Sequence, residues 1–323
     1  MLTYIGRRIL QMIPVFIGVS IIMFLVRSPS VVPGDPVRMI AGERNITPEV
    51  RAVVTQKYGL DKPIYVQYYR YMGALLQGDL GESYQDQRPV LDILLEKFPN
   101  TLVLAIVAIL IETAFGLAAG ILSAVKRYSF WDVLVTLSTS MLVALPVFWL
   151  GLLLKLLFAV KFKQWGLPSL PPSGMSGDGS PVVLHLILPA VTLASVSTAY
   201  AARIMRSQLL EVMGQDYMRT AAAKGLSGRQ VIWKHGLKNA MIPVVTFLGL
   251  DLGAMVGGTI LTEAVFNWPG VGFTIYRAIT LRDWPVVTGG VVIIVVLVMV
   301  INLLVDVSYA FLDPRIRYGH AAK

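Results

Sequence analysis

The sequence predicts an all-α integral membrane protein of about six transmembrane helices, with an extracytoplasmic region between helices 1 and 2 and a cytoplasmic loop between helices 4 and 5. Three observations carry that prediction. First, 55% of the 323 residues are hydrophobic and 15% charged, with a mean hydropathy of +0.67, whereas soluble domains run at about 45–50% apolar and about 25% charged. Second, six mostly apolar stretches approach the roughly 20 residues a helix needs to cross a bilayer. Third, Lys and Arg crowd the short loops on one side. The same composition excludes a simple soluble enzyme, a disordered chain and a nucleic-acid binder, despite a net charge of +9. The absence of cysteine removes disulfides, iron–sulfur clusters and thiol chemistry.

The six stretches are about Ile9–Val26, Thr101–Val125, Val133–Val160, Val182–Ala202, Ala240–Leu261 and Val286–Phe311. Arg7 and Arg8 precede the first, but Arg27 follows it in place of a small-residue cleavage site, so it reads as an uncleaved anchor. The fourth is the weakest, diluted by Pro189 and several Ser and Thr residues; proline is tolerated where neighbouring helices re-satisfy the backbone. With the N-terminus inside, 14 cations fall in cytoplasmic segments, from Arg7 to Lys323, against four in short outside loops, Lys161, Lys163, Arg277 and Arg282. Both termini are therefore expected in the cytoplasm.

Residues 1–27 then comprise the cytoplasmic N-terminus and first span, and 28–100 a small extracytoplasmic region. Residues 101–311 form the membrane domain, with a cytoplasmic loop at 203–239 and an outer loop at 263–285, and 312–323 form a cytoplasmic tail. Within 28–100, Thr47 and Pro48 can open a helix that Gly59 closes. Tyr65, Tyr68, Tyr69 and Met72 recur at helical spacing, as do Leu91, Leu94, Leu95 and Phe98; packing or a membrane-interface belt accounts for the aromatics.

The chain lacks a phosphate-binding loop, and Gly270-Val271-Gly272 has nothing else of a nucleotide fingerprint. The three histidines, His185, His235 and His320, are scattered, so no metal site is expected. Charged groups inside spans cost about 2.5–3.5 kcal/mol each and are functional candidates by default. Glu112 and Asp251, midway along the second and fifth spans, are candidates for a translocation pathway; Glu112 could instead pair with Lys155, and Asp306 reads as structural. Gly116 and Gly120, and Gly249, Gly253 and Gly257, recur every four residues and mark close helix contacts, within this chain or with a second one.

The loop at 203–239 holds seven cations and two acids. Gln208–Lys224 reads as one helix with Leu209, Leu210, Val212, Met213, Tyr217 and Ala221 near one face, Gly225 as its left-handed end, and Ser227 as the cap of a second short helix to Lys238. Such a knob between two spans can carry a push from a soluble partner; a plain basic loop obeying the positive-inside rule is the alternative.

The stretch Tyr217-Met218-Arg219-Thr220-Ala221-Ala222-Ala223-Lys224-Gly225, with His235-Gly236-Leu237-Lys238-Asn239-Ala240-Met241-Ile242-Pro243, resembles the EAA loop of binding-protein-dependent ABC importers in the form used by their peptide/nickel branch. Arg219 stands where the general pattern has Glu, and Lys238 where it has Pro. In order along the chain, Pro33-Gly34-Asp35-Pro36, Gly59-Leu60-Asp61-Lys62-Pro63, Gly78-Asp79-Leu80-Gly81, Leu145-Pro146-Val147-Phe148-Trp149, Leu261-Thr262-Glu263, Trp268-Pro269-Gly270-Val271-Gly272, Asn302-Leu303-Leu304-Val305-Asp306 and Asp313-Pro314-Arg315-Ile316-Arg317 extend the likeness to the B-type permease subunits of dipeptide and oligopeptide importers. Asp251 departs from that pattern, which more usually has a neutral polar residue there; if it lines the pathway, the preference shifts toward cationic or amine groups.

The resemblance implies a non-catalytic permease subunit in a bacterial or archaeal cytoplasmic membrane that binds no cofactor or nucleic acid itself. Its implied partners are a second, similar membrane subunit, two cytoplasmic ATPase subunits that bind the ATP, and an extracytoplasmic solute-binding protein. Tyr217, Arg219, Thr220, Ala221, Lys224 and Gly225 would seat on an ATPase, and Glu263 and Trp268 would belong to an outer gate. Dipeptides, oligopeptides, nickel complexes and glutathione are all carried by similar permeases. A self-powered secondary carrier and a membrane-bound signalling protein are the readings from other classes.

Overall fold

The computed structural model describes residues 2–27, 37, 47–58, 61–175 and 179–312. The motif stretches at 33–36, Gly59-Leu60 and 313–317, and the cations of the tail, lie outside the described residues. Two compact units result, one of Met1–Thr101 with Pro269–Lys323 and one of Leu102–Trp268. Every regular element among the described residues is helical. Five helices are long and apolar enough to cross a membrane, six if one bent pair counts as a single span.

In the first unit, α1 (Leu2–Arg27), α2 (Pro48–Tyr58) and α3 (Ile64–Leu76) are followed by the start of α4 (Val90–Val125), and the chain returns as α10 (Val271–Thr280) and α11 (Trp284–Leu312). Helix α2 opens at Pro48, where the missing N–H would be unsatisfied anyway. Tyr68 on α3 packs edge-on against Phe24, ring centroids 5.4 Å apart, and its hydroxyl shares a 2.9 Å hydrogen bond with Ser20 on α1. Tyr65 and Tyr69 stay exposed. Arg8 pairs with Asp306 at 3.1 Å, tying α1 to α11. Asp283, immediately before α11, is buried and accepts from the Ser83 hydroxyl and from Tyr84 N–H at 3.0 Å. A carboxylate anchor of this kind satisfies N–H groups of a loop that no strand or helix covers.

The sequence places a second-span start at Thr101, but α4 begins at Val90 and runs 36 residues. Leu94, expected on a separate helix, lies on this one and is buried beside Val90 and Ile93. Pro99 is accommodated inside the helix rather than ending it.

The second unit holds the rest of α4, then α5 (Phe130–Ala144), α6 (Val147–Leu154), α7 (Val182–Met213), α8 (Asp216–Ala223) and α9 (Leu237–Phe266). The expected third span is broken: α5 and the helical stretch Val147–Gln164 meet at 109°. Leu145 is extended, at φ −93° and ψ 134°, because the residue before a proline is pushed out of the helical region, and Pro146 then restarts the chain. After α6, Lys155–Lys161 takes a π-helical turn.

Helix α7, which the sequence makes the weakest span because Pro189, Ser and Thr dilute it, is the most enclosed: more than half of its apolar stretch is buried, far more than in any other span. Its Ser and Thr dilute the hydropathy because they face protein, and Thr192 and Ser195 return their hydroxyls to the carbonyls of Leu188 and Thr192. The partner of the α4 glycine stripe is this helix. A Cβ on Gly116 would stand 2.8 Å from Ala201 Cβ, and one on Gly120 would stand 2.6 Å from Ala202 O and Met205 Cβ.

That contact predicts an asymmetry. Gly120→Ala costs about 1–3 kcal/mol by overpacking and lowers the thermal unfolding midpoint of the detergent-solubilised protein. Gly73→Ala, on α3 where a Cβ meets nothing within 4 Å, leaves it equal or raises it.

Candidate functional site

The segment between α7 and α9 is an elbow. The sequence suggests one helix from Gln208 to Lys224, but α7 ends at Met213, Gly214 caps it, and Gln215 is extended at φ −76° and ψ 149° before α8 begins. Glycine weakens the helix at that point, and Asp216 in the first turn of α8 suits the new N-terminus. Helix α8 closes at Lys224, and Gly225 follows at φ +85°. Ser227 makes a full capping box with Gln230. The expected separate second helix is absent, because Gly228–Gln230 passes through a π-helical turn at Val231–Gly236 into α9 without a break.

Packing sets the elbow's inner face. Met218, Ala221 and Val231 are buried together, backed by Val212, Met213 and Leu226. Met218 rather than Tyr217 is the inward residue, since a helix presents positions three and four apart on one face. Its methyl lies where a Cβ on Gly236 would come within 3.0 Å. Tyr217 is exposed and its hydroxyl accepts a 3.0 Å hydrogen bond from Asn239 Nδ2, linking α8 to α9. Of the residues singled out by the motif, Tyr217, Arg219, Thr220, Lys224 and Gly225 line the exposed side and Ala221 the buried one. Arg219 makes only a surface pair with Asp216 at 3.4 Å, so its charge is available to a partner.

An ion pair that the sequence reading passed over braces the same end of the bundle. The Arg206 guanidinium on α7 binds Asp132 on α5 in a two-pronged contact, at 2.8 and 2.9 Å. Asp132 also accepts from the Ser123 hydroxyl on α4 and from Tyr128 N–H at 2.9 Å. Bidentate, charge-assisted contacts of this type are the strong ones. Local sequence does not single it out: an acid in the first turn of a helix is ordinary, and Lys126 and Arg127 lie nearer Asp132 along the chain than Arg206 does.

Deeper in the unit, Glu112 is fully buried and its carboxyl adjoins that of Asp251. The alternative pairing of Glu112 with Lys155 does not form: Lys155 Nζ donates to Val265 O at 3.0 Å, capping the carbonyl end of α9. Glu263 and Trp268 are both fully buried, Trp268 within a cluster that includes Leu104, Leu193 and Met255. Asn267 between them takes a left-handed conformation at φ +48° that ends α9. Among the described residues, no group of His, Asp and Glu has the arrangement of a metal site.

Comparison with known proteins matches residues 116–318 to the family described as "Binding-protein-dependent transport system inner membrane component" and residues 1–105 to its N-terminal counterpart. The chain is 41% identical to the Di/tripeptide transport system permease protein DppB of Pseudomonas aeruginosa strain UCBPP-PA14, over 98% of this chain and 99% of that one. It is 40% identical to the Dipeptide transport system permease protein DppB of Escherichia coli K12 with the same coverage. Identity is 42% to the Glutathione transport system permease protein GsiC of Salmonella paratyphi A, over 98% and 100%. Among solved structures, the MetNI methionine ABC transporter in an inward-facing conformation shares the fold with a TM-score of 0.55 at 19% identity, over 68% of this chain and 96% of that one. With its helical bundle, its elbow and these matches along nearly its whole length, the chain belongs to the family of inner-membrane permease components of binding-protein-dependent ABC transport systems.

Proposed function

We propose that this chain is one of two membrane subunits of an ATP-driven importer of short peptides. Two cytoplasmic ATPases bind and hydrolyse the ATP, the chain itself holds no cofactor, and an extracytoplasmic binding protein delivers the solute. The observation that carries the reading is the elbow: a short helix with a buried Met218–Ala221 side and an exposed Tyr217–Lys224 side, joined through one turn to a helix long enough to cross the membrane. The full-length likeness to dipeptide permeases supports peptides as the solute class. The glutathione permease at 42% identity supports that tripeptide as the second candidate.

Mechanically, a ligand shifts a conformational equilibrium only by its differential affinity for the two states. The relevant quantity is therefore how differently the elbow docks on the nucleotide-bound and nucleotide-free ATPases. Met218 packed on Gly236 and Tyr217 bonded to Asn239 pass that difference to α9. On the same reading the elbow and both termini face the cytoplasm, and Glu263 and Trp268 hold the outer end closed until the Trp268 cluster unpacks.

Two outcomes test this reading. At Gly225 a side chain meets nothing within 4 Å, so the obstacle to substitution is the positive φ alone. Gly225→Val, strained by about 1–3 kcal/mol, reduces peptide uptake by the reconstituted importer about tenfold, while Gly225→Asn, which tolerates the left-handed region, retains most of it. Normal uptake by the valine variant contradicts the elbow account. Because the chain has no native cysteine, single cysteines report sidedness cleanly. Trp165→Cys reacts with an impermeant maleimide in intact cells, and Arg219→Cys reacts only after permeabilisation; the reverse pattern overturns the orientation.

A further inference from the structure

The Leu102–Trp268 unit contains two separate apolar clusters on the same three helices. One joins Ala108 of α4 and Met255 of α9 to the start of α7; the other joins Ala124 and Val244 to Met205. Glu112 and Asp251 fall between these clusters, each about one helical turn from the first of them. Apart from the Asp251 carboxyl, neither oxygen of the fully buried Glu112 has a hydrogen-bond partner, and Asp251 Oδ2 has no other one either. Thr198 on α7 also has a buried, unpartnered hydroxyl. Its carbonyl meets the Cβ position of Gly116, one turn along α4 from Glu112, which puts it near the same level.

The obvious internal cations are engaged elsewhere. Lys155 bonds Val265 O, Arg203 donates to Thr139 and Ser140, and Arg206 is held by Asp132. Two adjoining carboxyl groups that have only each other as partners can share one proton, and a charge on both is costly between dry walls. A group bringing several N–H donors and a positive charge offsets that cost, and a primary ammonium brings three on a compact point charge.

We propose that Glu112 and Asp251 form an ammonium-binding station inside the bundle, which receives the free amino terminus of the peptide in transit. This rests on the peptide-import reading and adds to it a chemical requirement at one level of the membrane.

The test uses the assembled importer in proteoliposomes. Uptake of radiolabelled glycylglycine by the unmodified complex is measured first, and its absence counts against peptide import itself. With uptake established, a hydrophobic carbodiimide is applied and its adduct on Glu112 is followed by mass spectrometry. Glycylglycine slows that labelling about tenfold, the discrimination expected of a charge-assisted contact, and N-acetylglycylglycine does not. Equal protection by both peptides, or by neither, overturns the station; protection by neither is also what a permanent cation from the second membrane subunit would give. Asp251→Asn lowers glycylglycine uptake about tenfold and Asp251→Glu restores it, whereas equal uptake by the Asn variant and the unmodified complex overturns the proposal. If substitutions prevent assembly, the labelling arm on the unmodified complex decides alone.

Discussion

Continuity of the backbone between the elbow and the membrane is the constraint on which the rest depends. From Gly228 to Phe266 the chain runs 39 residues as one helical stretch, about 58 Å at the rise of an α-helix. On the proposed reading, a push at the capping box of Ser227 would act along a continuous helix. The proline at position 243 and the π-helical turn at Val231–Gly236 lie within this stretch without breaking it. The turn that does bend the chain, at Gly225, is held at both sides: Met218 and Ala221 pack on Val231, and Tyr217 bonds Asn239. Two bends, at Gly214–Gln215 and at Gly225, set off α8 from its neighbours, and the Met218 packing and the Tyr217 bond tie it to the long helix that follows.

Around that lever, the second unit is organised on α7. It is the helix with the most buried residues and the one against which the α4 glycines close. Its lower end is braced by the Arg206–Asp132 contact and the short loop at Tyr128. The two apolar clusters above and below the acidic pair make the interior of the unit layered rather than uniformly oily. A layered interior has a preferred level for a polar solute, and uniform packing would have none.

Much of this was legible in the sequence, for identifiable reasons. Hydropathy reports how a segment partitions, so it located the spans well, but α7 reads as a diluted span because that helix buries Ser and Thr against protein. Glycine at position 225 could be read as left-handed from its place after a helical run, and Ser227 as a cap from its spacing to Gln230. The break at Gly214 was missed because the apolar pattern carries across it, and that same pattern assigned Tyr217 to the face Met218 occupies. Proline was read correctly where a helix absorbs it, at 189, whereas the apolar stretch Val133–Val160 carries no mark of the 109° bend that follows from the extended Leu145 before Pro146. The Arg206–Asp132 contact joins residues 74 apart, and no local spacing rule reaches that far.

The most direct test of the lever is a distance measurement across it. Spin labels at Arg219, exposed on α8, and at Leu250, exposed midway along α9, would be followed by double electron–electron resonance in the assembled importer with and without ATP. The account predicts that their separation stays constant to within about 2 Å, the scale of ordinary helix shifts, while labels spanning the elbow and an ATPase subunit change theirs. A separation between residues 219 and 250 that changes by more than this as nucleotide binds would show that the elbow flexes instead of transmitting, and would contradict the account.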